Sequence, residues 1–310
     1  MKITVMKDLA ISGLVLGTVQ LGMPYGIANK SGMPDVNTGL EIIQEAINGG
    51  VNTLDTASAY GESEKIIGLY NKSKKDSERP LVVTKVSGIK PGMKDKEIFD
   101  YTVRSVERSC SLLCLDTIPI VLLHSFVEWK NGGKAAVEAL EYLKDRGYIK
   151  LAGISLYGSD DTDRVLEEPV FDAVQVPVNI FDLRLVRSGA LERLRQKGMI
   201  VFVRSIYLQG LLFLEPEELS GKLTQAKPYI EKLRALCSKE QRSIAETALA
   251  YVRDQEAVTG LVLGCETIEQ VRKNIELYHT PPLSKEMTEE IMDCFQSVPD
   301  EVTDPRTWGK

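Results

Sequence analysis

The stretch "VNTLDTASAYGESEKIIG", residues 51–68, holds one complete structural unit and part of a chemical one. Val51 to Leu54 reads as a buried strand that ends on a carboxylate, Asp55. A short polar loop then carries Tyr60, and "ESEKIIGLYNK" (62–72) returns with apolar residues at helical spacing. A carboxylate handed over by a buried strand costs free energy unless something pairs with it. The stretch therefore predicts a β/α unit and asks for a partner to Asp55.

The same unit recurs outward in both directions. Strands are predicted at "LVLGT" (14–18), "PLVVTK" (80–85), "IPIVLLH" (118–124), "IKLAGIS" (149–155), "FDAVQVP" (171–177), "MIVFVRS" (199–205) and "VTGLVLG" (258–264). Helices are predicted over 37–50, with Asn37 as N-cap, and over 94–114, 134–146, from Asp160 to Glu168, and 188–197 closed by Gly198. Further helices follow at 225–239, 243–254, from Thr267, and 284–295. The strands are near-continuous apolar runs, which marks them as buried on both faces and parallel. Eight of them alternating with helices make a (β/α)8 TIM barrel. "LGTVQLGMPYG" lacks the G-x-G-x-x-G spacing that an open doubly wound sheet would place after its first strand. The expectation is one domain over 1–310 with a polar tail at about 296–310.

Composition narrows the function. The chain has 43% apolar and 26% charged residues and a net charge of −6. That balance is ordinary for a globular protein and gives no basic face for nucleic acid. No run approaches the roughly 18 apolar residues of a membrane span. "MKITVMKDLAISG" has no apolar core or cleavage site of a signal peptide, so a cytoplasmic location is expected. The five cysteines are an odd number in a long chain, which fits a reducing compartment. Cys110 and Cys114, four apart, are expected on one helix face as core residues, and no metal site is expected.

In such a barrel the chemistry sits where the strands end. The ends deliver Gly17 and Thr18, Asp55 with Tyr60 just beyond, Lys85, His124, Ser155, Gln175 and Asn179, and Arg204 with Ser205. His279 has no such company and reads as structural. Asp55, Lys85 and His124 end three consecutive strands about 4.8 Å apart, so their side chains can converge. Lys85 is then the partner of Asp55. An ammonium beside a phenol stabilises the phenolate and makes the phenol a better acid, while an imidazole can orient a carbonyl by a hydrogen bond. The set suits proton delivery to a carbonyl oxygen. With no activated nucleophile and no metal-ligand spacing, the electrons must come from a cofactor.

"DTASAYGESEKIIG" resembles the D-T-A-x-x-Y-G-x-S-E-x-x-I-G segment of the aldo-keto reductases, and "VVTKV" and "IVLLHSF" resemble that family's lysine and histidine strands. The resemblance runs over nearly the whole chain. It implies a catalytic tetrad of Asp55, Tyr60, Lys85 and His124, with Tyr60 the general acid reducing an aldehyde or ketone. It also implies an extended NADP(H), with NAD(H) possible, lying across the barrel mouth along Gly17 and Thr18. Ser155 and Gln175 match the positions that hold the nicotinamide carboxamide. "SIYLQGLL" (205–212), with Ser205, Leu208 and Gly210, matches the loop over the pyrophosphate. Gly264, Glu266, Gln270 and Asn274 match the segment around the adenosine.

Three positions depart from the pattern. Leu156 stands where an asparagine is usual, Arg204 where an aromatic ring often stacks on the nicotinamide and where a guanidinium plane can stack in its place as a cofactor contact, and Glu266 where a basic or hydroxyl residue faces the 2′-phosphate. The opening "GTVQLGMPYGIAN" resembles members acting on sugar or sugar-nucleotide intermediates, and a regulatory subunit with little turnover would keep the same tetrad. The expected partner is a small carbonyl compound near Met23, Tyr25, Phe126, Trp129 and Trp308. The oligomeric state is not legible.

Overall fold

A computed structural model describes residues 1–29, 31–158 and 161–308. Two short strands open the chain, β1 (Ile3–Met6) and β2 (Leu9–Ser12), paired antiparallel. Eight strands then form a closed parallel barrel: β3 (Leu14–Gly17), β4 (Thr53–Asp55), β5 (Leu81–Val86), β6 (Ile118–Leu123), β7 (Ile149–Ser155), β8 (Phe171–Pro177), β9 (Ile200–Arg204) and β10 (Gly260–Gly264). They neighbour one another in chain order, and β10 closes on β3. This is the (β/α)8 barrel predicted from the sequence. No helix among the described residues is long and apolar enough to cross a membrane.

Each strand is buried on both faces, and the period of two divides its residues between two cores. Leu14, Leu16, Leu54, Val82, Val86, Val121 and Leu123 point outward into the large cluster shared with the helices. Val15, Val83, Ile120, Leu122, Ala173, Ile200 and Phe202 point inward and pack with one another. The opening hairpin belongs to this inner cluster through Leu9 and Ile11. Asn52, just before β4, donates to the Ala10 carbonyl at 2.8 Å, so the hairpin seals the end where the strands begin. Its two-residue turn, Lys7-Asp8, has positive φ at both positions (48° and 61°), the geometry that matches strand twist.

Several local expectations change. The helix after β3 spans Val36–Asn48, and its cap is Asp35, whose carboxylate accepts from the Thr38 N–H. The helix after β6 starts at Phe126, eight residues before the predicted start, because Ser125 caps it through the Glu128 N–H. Gly133, at φ 49° and ψ −137°, breaks that helix where the sequence reading began it. Cys114 does not share a helix face with Cys110: the helix Asp95–Leu113 ends there in a left-handed residue. The predicted start at Asp160 lies outside the described residues, and the helix is seen over Thr162–Glu167.

Candidate active site

Two residues beyond the inner apolar layer, the same inward positions turn polar. Val15 is followed by Gly17, Val83 by Lys85, Leu122 by His124, Ala173 by Gln175 and Phe202 by Arg204. Asp55, Ser155 and Gly264 complete the ring at the ends of β4, β7 and β10. Sequence alternation thus places one functional side chain, or a glycine, from every strand at one end of the barrel.

At its centre lies a buried ion pair. Lys85 is 1% exposed and Asp55 4%, and the ammonium stands 2.8 Å from both carboxylate oxygens. It also donates to the Thr56 carbonyl at 2.8 Å. Gln175 Nε2 adds a bond to Asp55 Oδ1 at 2.7 Å from the far side of the barrel. Burial works against the charge on Lys85, but the Asp55 carboxylate and the Tyr60 phenol beside it outweigh that and raise its pKa above the ordinary lysine value.

The ammonium lies 5.0 Å from the Tyr60 ring centroid. Tyr60 meets His124 edge-on, with ring centroids 5.8 Å apart and an interplanar angle of 84°. Burial, with help from the Lys85 and Arg204 charges, lowers the His124 pKa to about 3, so the ring is neutral at physiological pH. Its Nδ1 faces Ser87 Oγ at 3.2 Å.

The turn that carries Tyr60 is held by close backbone contact. A Cβ on Gly22 would lie 1.8 Å from the Tyr60 carbonyl oxygen, so only glycine lets the two loops meet there. Behind it, the Ser63 hydroxyl lies 2.7 Å from Thr18 Oγ1 and 2.9 Å from Thr56 Oγ1. Thr18 itself is fully buried and donates to the Asp55 carbonyl at 2.8 Å, so its hydroxyl is committed to the wall, not the mouth. Ser63 lies in the same 51–68 segment, where nothing in the apolar pattern distinguishes it from a surface serine. It supports the Thr56 peptide whose carbonyl receives Lys85.

Arg204 and the rim differ from the sequence reading. Arg204 reaches from β9 across the end of β8, donates to the Leu156 carbonyl at 3.1 Å and faces Ser205 Oγ at 3.2 Å. Its guanidinium lies 4.2 Å from the Tyr157 ring centroid. The Tyr25 ring edge is exposed, while its hydroxyl end is enclosed and accepts from Gln209 at 3.1 Å. Burial of that end and the nearby Tyr60 raise the Tyr25 phenol to about 12. Phe126 and Trp129 do not face the mouth. They line a groove of about 980 Å³ outside the barrel wall, where Trp129 packs edge-on against Phe171. Asn179 spends its Oδ1 on the Phe181 and Asp182 N–H groups of its own turn.

Residues that could hold an extended nucleotide lie along one side of the ring. Ser155 and Gln175 are register partners on β7 and β8. The segment after β9 carries Ser205, Leu208 and Gln209 at φ 63°, 47° and 54°, followed by Gly210 at 94°. Gly264 is exposed, and a Cβ there would strike the Gln20 amide at 2.2 Å. Gln20 Oε1 is itself buried without a hydrogen-bond partner among the described residues, leaving an acceptor beside a side-chain-free strand end. That combination fits a polar ligand passing between β3 and β10. Beyond it, the Glu266 N–H donates to Gln270 Oε1 at 2.7 Å and Asn274 Nδ2 faces Cys265 Sγ at 3.2 Å.

Comparison with known proteins bears on the fold and the family. The model of the "Aldo/keto reductase family" matches residues 13–296. An NADH-specific methylglyoxal reductase of Escherichia coli is 28% identical over 86% of this chain and 90% of its own. A D-arabinose 1-dehydrogenase of Saccharomyces cerevisiae is also 28% identical, over 87% and 84%. Among solved structures, an aldo-keto reductase of Bacillus halodurans in its holo form superposes with a TM-score of 0.78, covering 99% of both chains at 24% identity.

Proposed function

The chain belongs to the aldo/keto reductase family and is an oxidoreductase that acts on carbonyl compounds; on that premise we propose that it uses NAD(P)H to reduce an aldehyde or ketone, with Tyr60 as proton donor. The observation that carries this reading is the buried Lys85 ammonium, held on Asp55 and 5.0 Å from the Tyr60 ring. A cation at that position stabilises the phenolate left when Tyr60 gives up its proton. Neutral His124 can donate a ring N–H to the same carbonyl oxygen without bringing a second charge.

The bound nicotinamide would supply the hydride to the carbonyl carbon. Ser155 and Gln175 would hold its carboxamide. Gln175 gives its Nε2 to Asp55, which leaves its Oε1 to accept from an amide N–H. The loop from Ser205 to Gly210 would cover the pyrophosphate, and Gly17 and Gly264 would let the backbone approach it. Arg204 donates to the Leu156 carbonyl and lies against the Tyr157 ring, so it is not proposed to stack on the nicotinamide.

Discrimination between NADH and NADPH is proposed to be weak. The nearest basic groups to the adenosine segment are already paired, Arg272 with Glu45 at 2.7 Å and Lys273 with Glu276 at 3.2 Å. Glu266 is half-buried there, and a carboxylate repels a 2′-phosphate while accepting from a free ribose hydroxyl. The chain is proposed to work as one cytoplasmic barrel unit, a setting that suits its five free cysteines. The test is loss of nucleotide absorbance with NADH and with NADPH over a panel of aldehydes, 2-oxoaldehydes and aldoses. Turnover of at least one class is expected. Tight nucleotide binding with no turnover across the panel would favour the regulatory-subunit reading instead.

A further inference from the structure

Among the described residues, several cations at this end of the barrel are held by carboxylates, and Arg204 is not. Lys85 is paired with Asp55, Arg184 with Asp182 and Asp300, and Arg306 with Asp304. Arg204 makes no ion pair among the described residues; its neighbours are a carbonyl, a hydroxyl and a ring. It is nonetheless half-buried, at the end of β9. Half-burying an unpaired guanidinium costs free energy that the Leu156 carbonyl and the Tyr157 face offset only in part.

The surroundings fix this charge in place. Tyr157 receives a second guanidinium, that of Arg306 from the C-terminal segment, 3.6 Å from its ring centroid. Arg306 is clamped by Asp304 at 2.9 and 3.0 Å, so it adds contact but no net charge. Arg204 is thus held on a ring that is itself held. Arg204 takes the inward position next above Phe202 on β9, beside the β8 strand whose Gln175 reaches Asp55. The adenosine segment, Gly264 to Asn274, follows a different strand, β10. A 2′-phosphate on the adenosine would be served from that end, whereas Arg204 is bonded to Leu156, the residue after β7.

We propose that Arg204 is an anion subsite, and that the substrate is an aldehyde or ketone carrying a carboxylate or phosphate. The proposal rests on the carbonyl-reduction reading and adds the substrate class to it. A guanidinium already oriented by Tyr157 can take such a group through two parallel N–H bonds, with little ordering left to do.

The test compares charged and neutral partners of similar shape: 4-carboxybenzaldehyde against methyl 4-formylbenzoate, and glyceraldehyde 3-phosphate against glyceraldehyde. A charge-assisted contact predicts a kcat/KM preference for the anion of roughly 10-fold or more in wild type, in whichever arm matches the natural group. In Arg204→Met that ratio should collapse to within about twofold, and Arg204→Lys should keep part of it because the charge remains while the fork is lost. Calorimetric binding of benzoate against benzamide to the nucleotide-loaded protein reads the same subsite without turnover. Loss of benzoate binding in Arg204→Met, in a protein that turns over no carbonyl, would keep the subsite and overturn the carbonyl-reduction reading. Turnover of neutral carbonyls with no anion preference in either arm would overturn the subsite alone. So would a preference that survives Arg204→Met, or an Arg204→Met variant whose loss is all in nucleotide affinity.

Discussion

Along the inward face of one barrel, two layers a single side-chain repeat apart are built from opposite chemistry. The lower holds Val15, Val83, Leu122, Ala173 and Phe202, closed from below by Leu9 and Ile11 of the hairpin. The upper holds Gly17, Lys85, His124, Gln175 and Arg204 at the next inward positions of the same strands. The lower layer gains from burial with no directional demand beyond shape. The upper layer is almost as buried at Lys85, Asp55 and Gln175, and it is tolerable because the Lys85 and Asp55 charges meet each other and the Gln175 amide meets Asp55. Rigid packing below is therefore what permits exact placement of charge above, and the two layers should fail in different ways.

The largest difference is expected at Asp55. Asp55→Asn leaves Lys85, 1% exposed, without its counter-charge, which should cost roughly 3–5 kcal/mol of unfolding free energy. It should also displace the pH–rate profile, because the group proposed to stabilise the Tyr60 phenolate has lost its anchor. Denaturant unfolding together with a pH–rate series checks both, and a superimposable profile would show that Asp55 and Tyr60 are uncoupled. Leu122, fully buried one inward position below His124, gives the contrasting case. Leu122→Ala should cost roughly 2–5 kcal/mol by leaving a cavity, with a pH–rate profile of unchanged shape.

How far this division was legible in the sequence depends on what carries it. The eight strands and the ring of strand-end residues are readable because burial and alternation are written in the order of apolar residues. Asp55 with Lys85 followed from adjacent strands. The hairpin is hard to read, since Lys7-Asp8 is not the glycine-containing pair that usually announces a two-residue turn, although "ITVM" and "LAIS" flank it at matching length. The early start of the helix at Phe126 was signalled by Ser125 and Glu128, a capping pattern masked by Asn131-Gly132-Gly133. Gln175 on Asp55 and Arg204 on Tyr157 could not be read at all. Each joins residues from different strands or loops, and no local pattern records which way a long side chain turns.

A pH-dependent difference separates the layers next. The native His124 imidazole resists protonation down to about 3, whereas the unfolded one takes a proton near its ordinary 6.5. The unfolded state therefore binds more protons in that window, and native stability falls as pH drops through it. His124→Gln should flatten this part of the stability–pH curve. The lower layer contains no titrating group, so Leu122→Ala should shift the whole curve without changing its slope.

The smallest effect is expected at the rim, where charges are solvated. Glu266→Arg should move cofactor preference toward NADPH by about 1–2 kcal/mol through one charge-assisted contact. Values of kcat/KM for both nucleotides decide this, and a wild type that already prefers NADPH by orders of magnitude would mean that Glu266 does not face the ribose.

The most direct test of the account is Tyr60→Phe, measured at once for turnover, nucleotide binding and unfolding. The substitution keeps the ring that meets His124 and removes only the hydroxyl. Carbonyl reduction should fall by roughly 10²-fold or more, while nucleotide affinity and unfolding free energy stay near wild type. Turnover close to wild type in that variant would contradict the assignment of the proton to Tyr60, and with it the claim that the upper layer is built around that residue.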